Sequence, residues 1–242
     1  MSLSRNKEAY GMKKTAVALL AIVLLAGIPW AQEAPPISEV TGEDQLVKEK
    51  GQYQETWVHP DADMSQYSKL YLWNSVFQFR EGGDTTTGTE ITRSRGNQGP
   101  FAMHEEDQEK FKQLVNDAMV KALAGSKMFE VVEEVGPDTL LLRGAVLDII
   151  SNVPPDVART TTNVHLASVG EATIVFELID AETGVIQARV AERRVIQRPG
   201  RMHQVSAVPS NSATVWNDVK LWAADVAHTL RRALDKAKKK AD

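Results

Sequence analysis

Residues 139–153 read TLLLRGAVLDIISNV. Apolar residues fill both alternating sets, Leu140, Leu142 and Val146 on one and Leu141, Ala145 and Leu147 on the other. A strand with one wet face alternates strictly, so this run predicts a central strand covered on both faces for much of its length. Upstream, MFEVVEEV (128–135) reads as a strand that ends at the tight turn Gly136-Pro137-Asp138, from which the central strand returns. Downstream, EATIVFELID (171–180) places Ala172, Ile174, Phe176 and Leu178 on one face. AETG (181–184) then turns the chain, with Gly184 where a positive φ is required. VIQARVAERRVIQ (185–197) comes back with charges on both sets, Arg189 and Arg193 on one and Glu192 and Arg194 on the other. That mixture predicts one wet face or an edge position able to accept an added strand from a partner.

Two helices and one more strand complete the pattern. Phe111, Leu114, Val115, Ala118, Ala122 and Leu123 recur at helical spacing in 104–126, with acidic residues in the first turn and Gly125 at the end. Val215, Val219, Trp222, Val226, Leu230 and Ala233 form a second stripe in 212–240, whose lysines gather at the C-terminal end. KLYLWNSVFQFR (69–80) alternates as a strand, with Tyr71, Trp73, Ser75, Phe77 and Phe79 expected on one face. A polar loop follows (81–100); loops of that length are usually functional or disordered. The order β-α-β-β-β-β-α predicts an α+β two-layer sandwich: a mixed, mostly antiparallel sheet of about five strands with both helices on one face. With the first helix as a right-handed crossover between parallel neighbours, the loop after the first strand shares one end with the Gly-Pro-Asp and Ala-Glu-Thr-Gly turns. The connections 154–170 and 198–212 share the other.

The N-terminal part reads differently. KKTAVALLAIVLLAGIPWAQ (13–32) has a basic start, an apolar run from Ala16 to Ile28 and a break at Pro29. Those are the parts of a secretory signal peptide, and the run is short of the roughly 20 residues a spanning helix needs. Residues 1–31 are therefore expected to be a leader, with 1–11 from a misplaced start codon ahead of Met12. The expected compartment is the periplasm, with an inner-membrane tether if the leader stays on. Leu24-Leu25-Ala26-Gly27 resembles a lipoprotein processing box, but Ile28 follows and the chain has no cysteine. Thioether lipidation needs a thiol, so no lipid anchor is expected at this site. The lack of cysteine likewise excludes disulfides and thiolate metal sites. Residues 32–66 read as a polar linker or approach segment, with Pro35-Pro36 extended, and 67–240 as the α+β domain.

Without residues 1–31 the chain keeps 24 basic against 31 acidic groups. That balance argues against nucleic-acid binding, which needs concentrated positive charge. His59, His104, His165, His203 and His228 show no metal-binding spacing, and no nucleophile elbow, phosphate loop or dinucleotide fingerprint is present. DADMS (61–65) lacks the glycine and the distal glutamate of a calcium loop. No metal, cofactor or catalytic residue is thus expected. Two candidate ligand sites emerge. Arg159, Thr161 and His165 in one connection, with Arg198, Arg201 and His203 in the other, offer an anion charge-assisted hydrogen bonds; ordinary solvated loop polarity is the plainer alternative. The aromatic face Tyr71, Trp73, Phe77 and Phe79 could stack a sugar or peptide, or simply pack beneath the helices.

Phe129-Glu130-Val131-Val132, Gly136-Pro137-Asp138-Thr139-Leu140 and Asp180-Ala181-Glu182-Thr183-Gly184 resemble a family of bacterial envelope proteins, largely lipoproteins, defined as a domain of unknown function. The resemblance spans roughly residues 67–234. It implies an α+β domain in the cell envelope and transfers no catalytic residues; Ile28 departs from the acylated cysteine of such lipoproteins. The reading that follows is an exported, non-catalytic binding or interaction module. Its partner would be an envelope protein or a peptidoglycan or glycan component, with membrane contact only through the leader. A binder of a small anionic ligand is the alternative, and a hydrolase using scattered carboxylates a third.

Overall fold

The computed structural model describes residues 45–81, 101–154, 165–166, 168–197, 208–209 and 211–241, all within one unit, Ser38–Asp242. The leader, the start of the approach segment and the loop 82–100 lie outside them. Among the described residues nine strands and two long helices follow in order: β1 (Val47–Lys48), β2 (Glu55–Val58), β3 (Lys69–Phe79), α1 (Glu105–Leu123), β4 (Glu130–Val132), β5 (Thr139–Ser151), β6 (His165–Leu166), β7 (Gly170–Asp180), β8 (Ile186–Ile196), β9 (Val208–Pro209) and α2 (Ser212–Ala241). Seven strands form one mixed sheet in the order β1-β2-β8-β7-β5-β3-β4; β6 and β9 form a separate pair. No helix among the described residues is long and apolar enough to cross a membrane.

The expected α+β sandwich is present, and β5 is an interior strand between β7 and β3. Both helical stripes close over one face of the sheet. Phe111, Val115 and Leu123 of α1 and Val219, Trp222, Val226 and Leu230 of α2 join Leu70, Leu140, Val146, Ile149, Ile174 and Phe176 in a single buried cluster. Burying such side chains stabilises by about 1.5–3 kcal/mol each relative to exposure. The turn after β7 also forms as expected. Gly184 has φ +71°, and Asp180 Oδ1 accepts from the backbone N–H groups of Glu182 and Thr183 at 2.9 and 2.7 Å.

Four expectations are corrected. First, β4 and β5 are not a hairpin: both run parallel to β3 and flank it, Lys69 facing Glu130 on one side and Thr139 on the other. Long apolar β5 takes the interior place, and three-residue β4 is left at the rim. Gly136-Pro137-Asp138 instead anchors the start of β3, since the Asp138 carbonyl accepts from Ser68 and Lys69 backbone N–H. Second, because β3 and β5 are parallel, the loop after β3 leaves at the end where Ser151 meets Gly170 and Phe101. It therefore joins the two long connections, and the Gly-Pro-Asp and Ala-Glu-Thr-Gly turns lie at the opposite end. Third, β8 is no edge. Glu55–Val58, from the expected approach segment, pairs antiparallel with Ala188–Ala191, and β1 adds outside it. The polar mixture on β8 suits a strand flanked by a four-residue neighbour, but this chain supplies that neighbour itself. Fourth, a register shift between Leu72 and Ser75 reverses the alternation of β3, as a bulge does by inserting one residue. Phe77 and Phe79 then fall with Leu70 and Leu72 on the helix side, and Tyr71 and Trp73 on the other.

A second irregularity lies between Leu147 and Ile150 of β5. Asp148 there has φ +50°, a region rarely occupied by side-chain-bearing residues. Beside it Gly170 approaches so closely that a Cβ would sit 2.0 Å from the Ile150 carbonyl oxygen. Glycine is the residue that fits.

Candidate functional site

The structure places the sequence-predicted residues unevenly. Arg159, Thr161, Arg198, Arg201 and His203 lie outside the described residues. His165 is on β6 and faces Pro209 of β9 in the ladder, so the two connections are tied together by strand pairing. Phe77 and Phe79 meet the Phe111 ring edge-on, with centroids 6.4 and 5.9 Å apart, which assigns them to the core.

Tyr71 and Trp73 face away from the helices, and Trp73 belongs to a row that crosses five strands. The Arg143 guanidinium lies 5.9 Å from the Trp73 ring centroid. Arg143 is register partner of Glu177, Glu177 of Arg189, and Arg189 of Trp57. Glu177 is 1 % exposed, Arg189 1 % and Arg143 4 %. One carboxylate oxygen of Glu177 accepts from Arg143 and the other from Arg189 Nε at 2.7 Å. A carboxylate taken out of water needs such saturation, because an unpaired buried charge is very costly. At the end of the sheet where the long connections leave, Asp148 accepts a bidentate pair of 2.6 Å bonds from Arg80 and one of 2.9 Å from Arg193. Those bonds, the Arg80 bond first, hold the Asp148 carboxyl below its ordinary range. At the other end the Tyr67 hydroxyl donates to Asp180 at 2.6 Å. Burial resists ionisation of Asp180, but this bond and those from Thr183 and Glu182 outweigh it and its pKa is lowered. These groups satisfy one another and brace the sheet.

Beneath the helices, at the end where the loop after β3 and the two connections leave, a cavity of about 150 Å³ opens. Its walls come from five places that only the fold brings together: the approach to α1 and its start (Met103, His104, Asp107, Phe111), the end of β5 (Ile150, Ser151), the start of β7 (Val169), the end of β8 (Ile196) and the start of α2 (Val215, Trp216, Val219). Phe111 and Val215 are the first residues of the two helical stripes. Trp216 lies off the α2 stripe, half-buried, with the Lys110 ammonium 4.3 Å from its ring centroid. That cation–π contact links the two helices at the mouth. Ser151 is 7 % exposed, and its Oγ accepts from the Val153 backbone N–H at 3.2 Å. His104 precedes α1 without capping it through its side chain. The lining is mixed, with polar atoms making up about half of it and His104, Asp107 and Ser151 among their sources; a concave site of this kind can orient a small molecule through its polar groups. Among the described residues no group of three or more metal-ligating side chains is brought together. Sequence reasoning missed this cavity; the signal it carried was Trp216, an aromatic outside the core stripe at the start of a helix.

Solved structures align with the chain at low similarity. The protein XCC0632 from Xanthomonas campestris, a DUF330 protein, is 10 % identical with a TM-score of 0.39, over 76 % of this chain and 94 % of that one. A PelC L103M dodecamer from Paraburkholderia phytofirmans is 11 % identical with a TM-score of 0.30, over 77 % and 95 %. A putative lipoprotein from Caulobacter crescentus CB15 is 15 % identical with a TM-score of 0.30, over 55 % and 85 %. No curated protein matches the sequence. Residues 36–226, most of the chain, match the family described as "Protein of unknown function (DUF3313)", and the chain belongs to that family.

Proposed function

We propose that this protein is an exported envelope component that acts by binding, and that it binds through the cavity between the starts of α1 and α2. The observation that carries the reading is the cavity itself: a concave space of mixed polar and apolar lining at the end of the sheet, walled by residues from five separate segments. It replaces strand addition at β8, whose edge is already paired with β2. The leader read at residues 13–31 is the ground for export. A thermal-shift screen of the purified chain against envelope-derived small molecules tests the binding reading. A hit is expected to stabilise the parent chain and to lose its effect in Val169→Phe, which narrows the cavity. An undiminished shift in that folded variant would move the site elsewhere.

A second reading is favoured by the β6–β9 pairing, which joins the two basic connections. Here Arg159, Arg198 and Arg201 hold a small anion, with Thr161, His165 and His203 supplying hydrogen bonds. Phosphate or uronate shifts that survive the double change Arg159→Ala and Arg201→Ala would count against it.

A further inference from the structure

We infer that the cavity takes a group without negative charge, part apolar and of about six to eight heavy atoms, that carries one oxygen acceptor, such as a carbonyl. This deepens the binding reading above and rests on it. Size comes first. A cavity of about 150 Å³ matches the engineered apolar cavities that accept a single benzene. Phe111, Ile150, Val169, Ile196, Val215 and Val219 give part of its walls an apolar surface, and polar atoms make up the rest.

The acceptor requirement comes from Ser151. Its side chain is almost fully buried on the cavity wall. The Oγ lone pair is used by the Val153 N–H, and among the described residues no acceptor takes the hydroxyl proton. A buried donor left unused is costly, so an occupant with an oxygen at that point gains the bond that the protein withholds. The charge requirement comes from α1. A helix start favours an anion, but Glu105, Glu106 and Asp107 fill the first turn of α1, and Asp107 is on the cavity wall. A carboxylate ligand would meet that negative charge.

Calorimetric titration of the full chain with five probes tests this: hexanamide and benzamide as uncharged carbonyl compounds, hexanoate and benzoate as their charged counterparts, and toluene as a ring without an acceptor. Linear against ring-bearing amides separates an acyl-chain end from an aromatic group as the natural source. At least one amide is expected to bind at least tenfold tighter than its carboxylate at pH 7. Ser151→Ala should weaken the amide about 2–10-fold, the span of one net hydrogen bond, and leave toluene binding unchanged. Val169→Phe, shown to be folded by circular dichroism, should abolish both. Carboxylates that bind as well as the amides would overturn the ligand class and leave the cavity reading standing. Equal weakening of amide and toluene by Ser151→Ala would overturn the role of its hydroxyl. No binding of any probe, with ligands from the envelope screen still shifting the parent chain, would overturn the inference alone; failure of both would remove the cavity reading too.

Discussion

Replacing Glu177 by Gln removes one negative charge from the row Trp73-Arg143-Glu177-Arg189-Trp57 and changes little in shape. Glu177 is 1 % exposed and accepts from both arginines. Breaking a buried ion pair by neutralising one partner costs about 3–5 kcal/mol, because the other charge stays buried. The glutamine keeps one acceptor oxygen, and both arginines have further interactions, so the lower end, about 3 kcal/mol, is expected. With a urea dependence near 2 kcal/mol per molar, the unfolding midpoint should fall by about 1.5 M. Glu171→Gln is the control. Its carboxylate meets Arg193 at 3.0 Å and is 39 % exposed, so its loss should cost at most about 1 kcal/mol. The assay is urea unfolding followed by tryptophan fluorescence and circular dichroism in parallel. If the two variants unfold at the same midpoint, the row is not held by its central carboxylate and the reasoning fails.

Other outcomes follow from the same geometry. Gly170→Ala should lower the melting temperature well beyond an exposed Gly→Ala change, because its Cβ would meet the Ile150 carbonyl at 2.0 Å; unchanged melting would show that the strands can part there. Val190→Pro should disrupt the fold, since Val190 is paired with both Thr56 and Phe176 and proline removes a ladder donor; a folded variant with unaltered amide-exchange protection in β2 would contradict that pairing. Asp148 and Asp180 both have lowered carboxyl pKa values, so their contribution is full above the unfolded value of about 3.9 and is lost as pH falls through the lower folded values. Urea midpoints should therefore change little between pH 7 and 5 on their account and drop below pH 4, and Asp148→Asn should shrink the drop; an equal drop in that variant would exclude Asp148 as a source.

Local pattern was enough to locate the five main strands, both long helices, their apolar stripes and the positive φ at Gly184. Each depends on neighbours within a few residues: the alternation of a strand, the 3.6-residue period of a helix, the conformational freedom of one glycine. Strand neighbours are a different matter. Whether β5 folds back on β4 or crosses to lie beside β3 depends on which arrangement buries more of its two apolar faces, and the residues of the turn do not encode that. The same competition draws Glu55–Val58 onto β8 although it precedes the domain expected at 67–240, and a single inserted residue in β3 parts Trp73 from Phe77. The cavity is the extreme case. Ser151, Val169, Ile196 and Trp216 are ordinary in their own segments, and become one surface only because β5 and β8 end, and β7 and α2 begin, at the same edge of the fold.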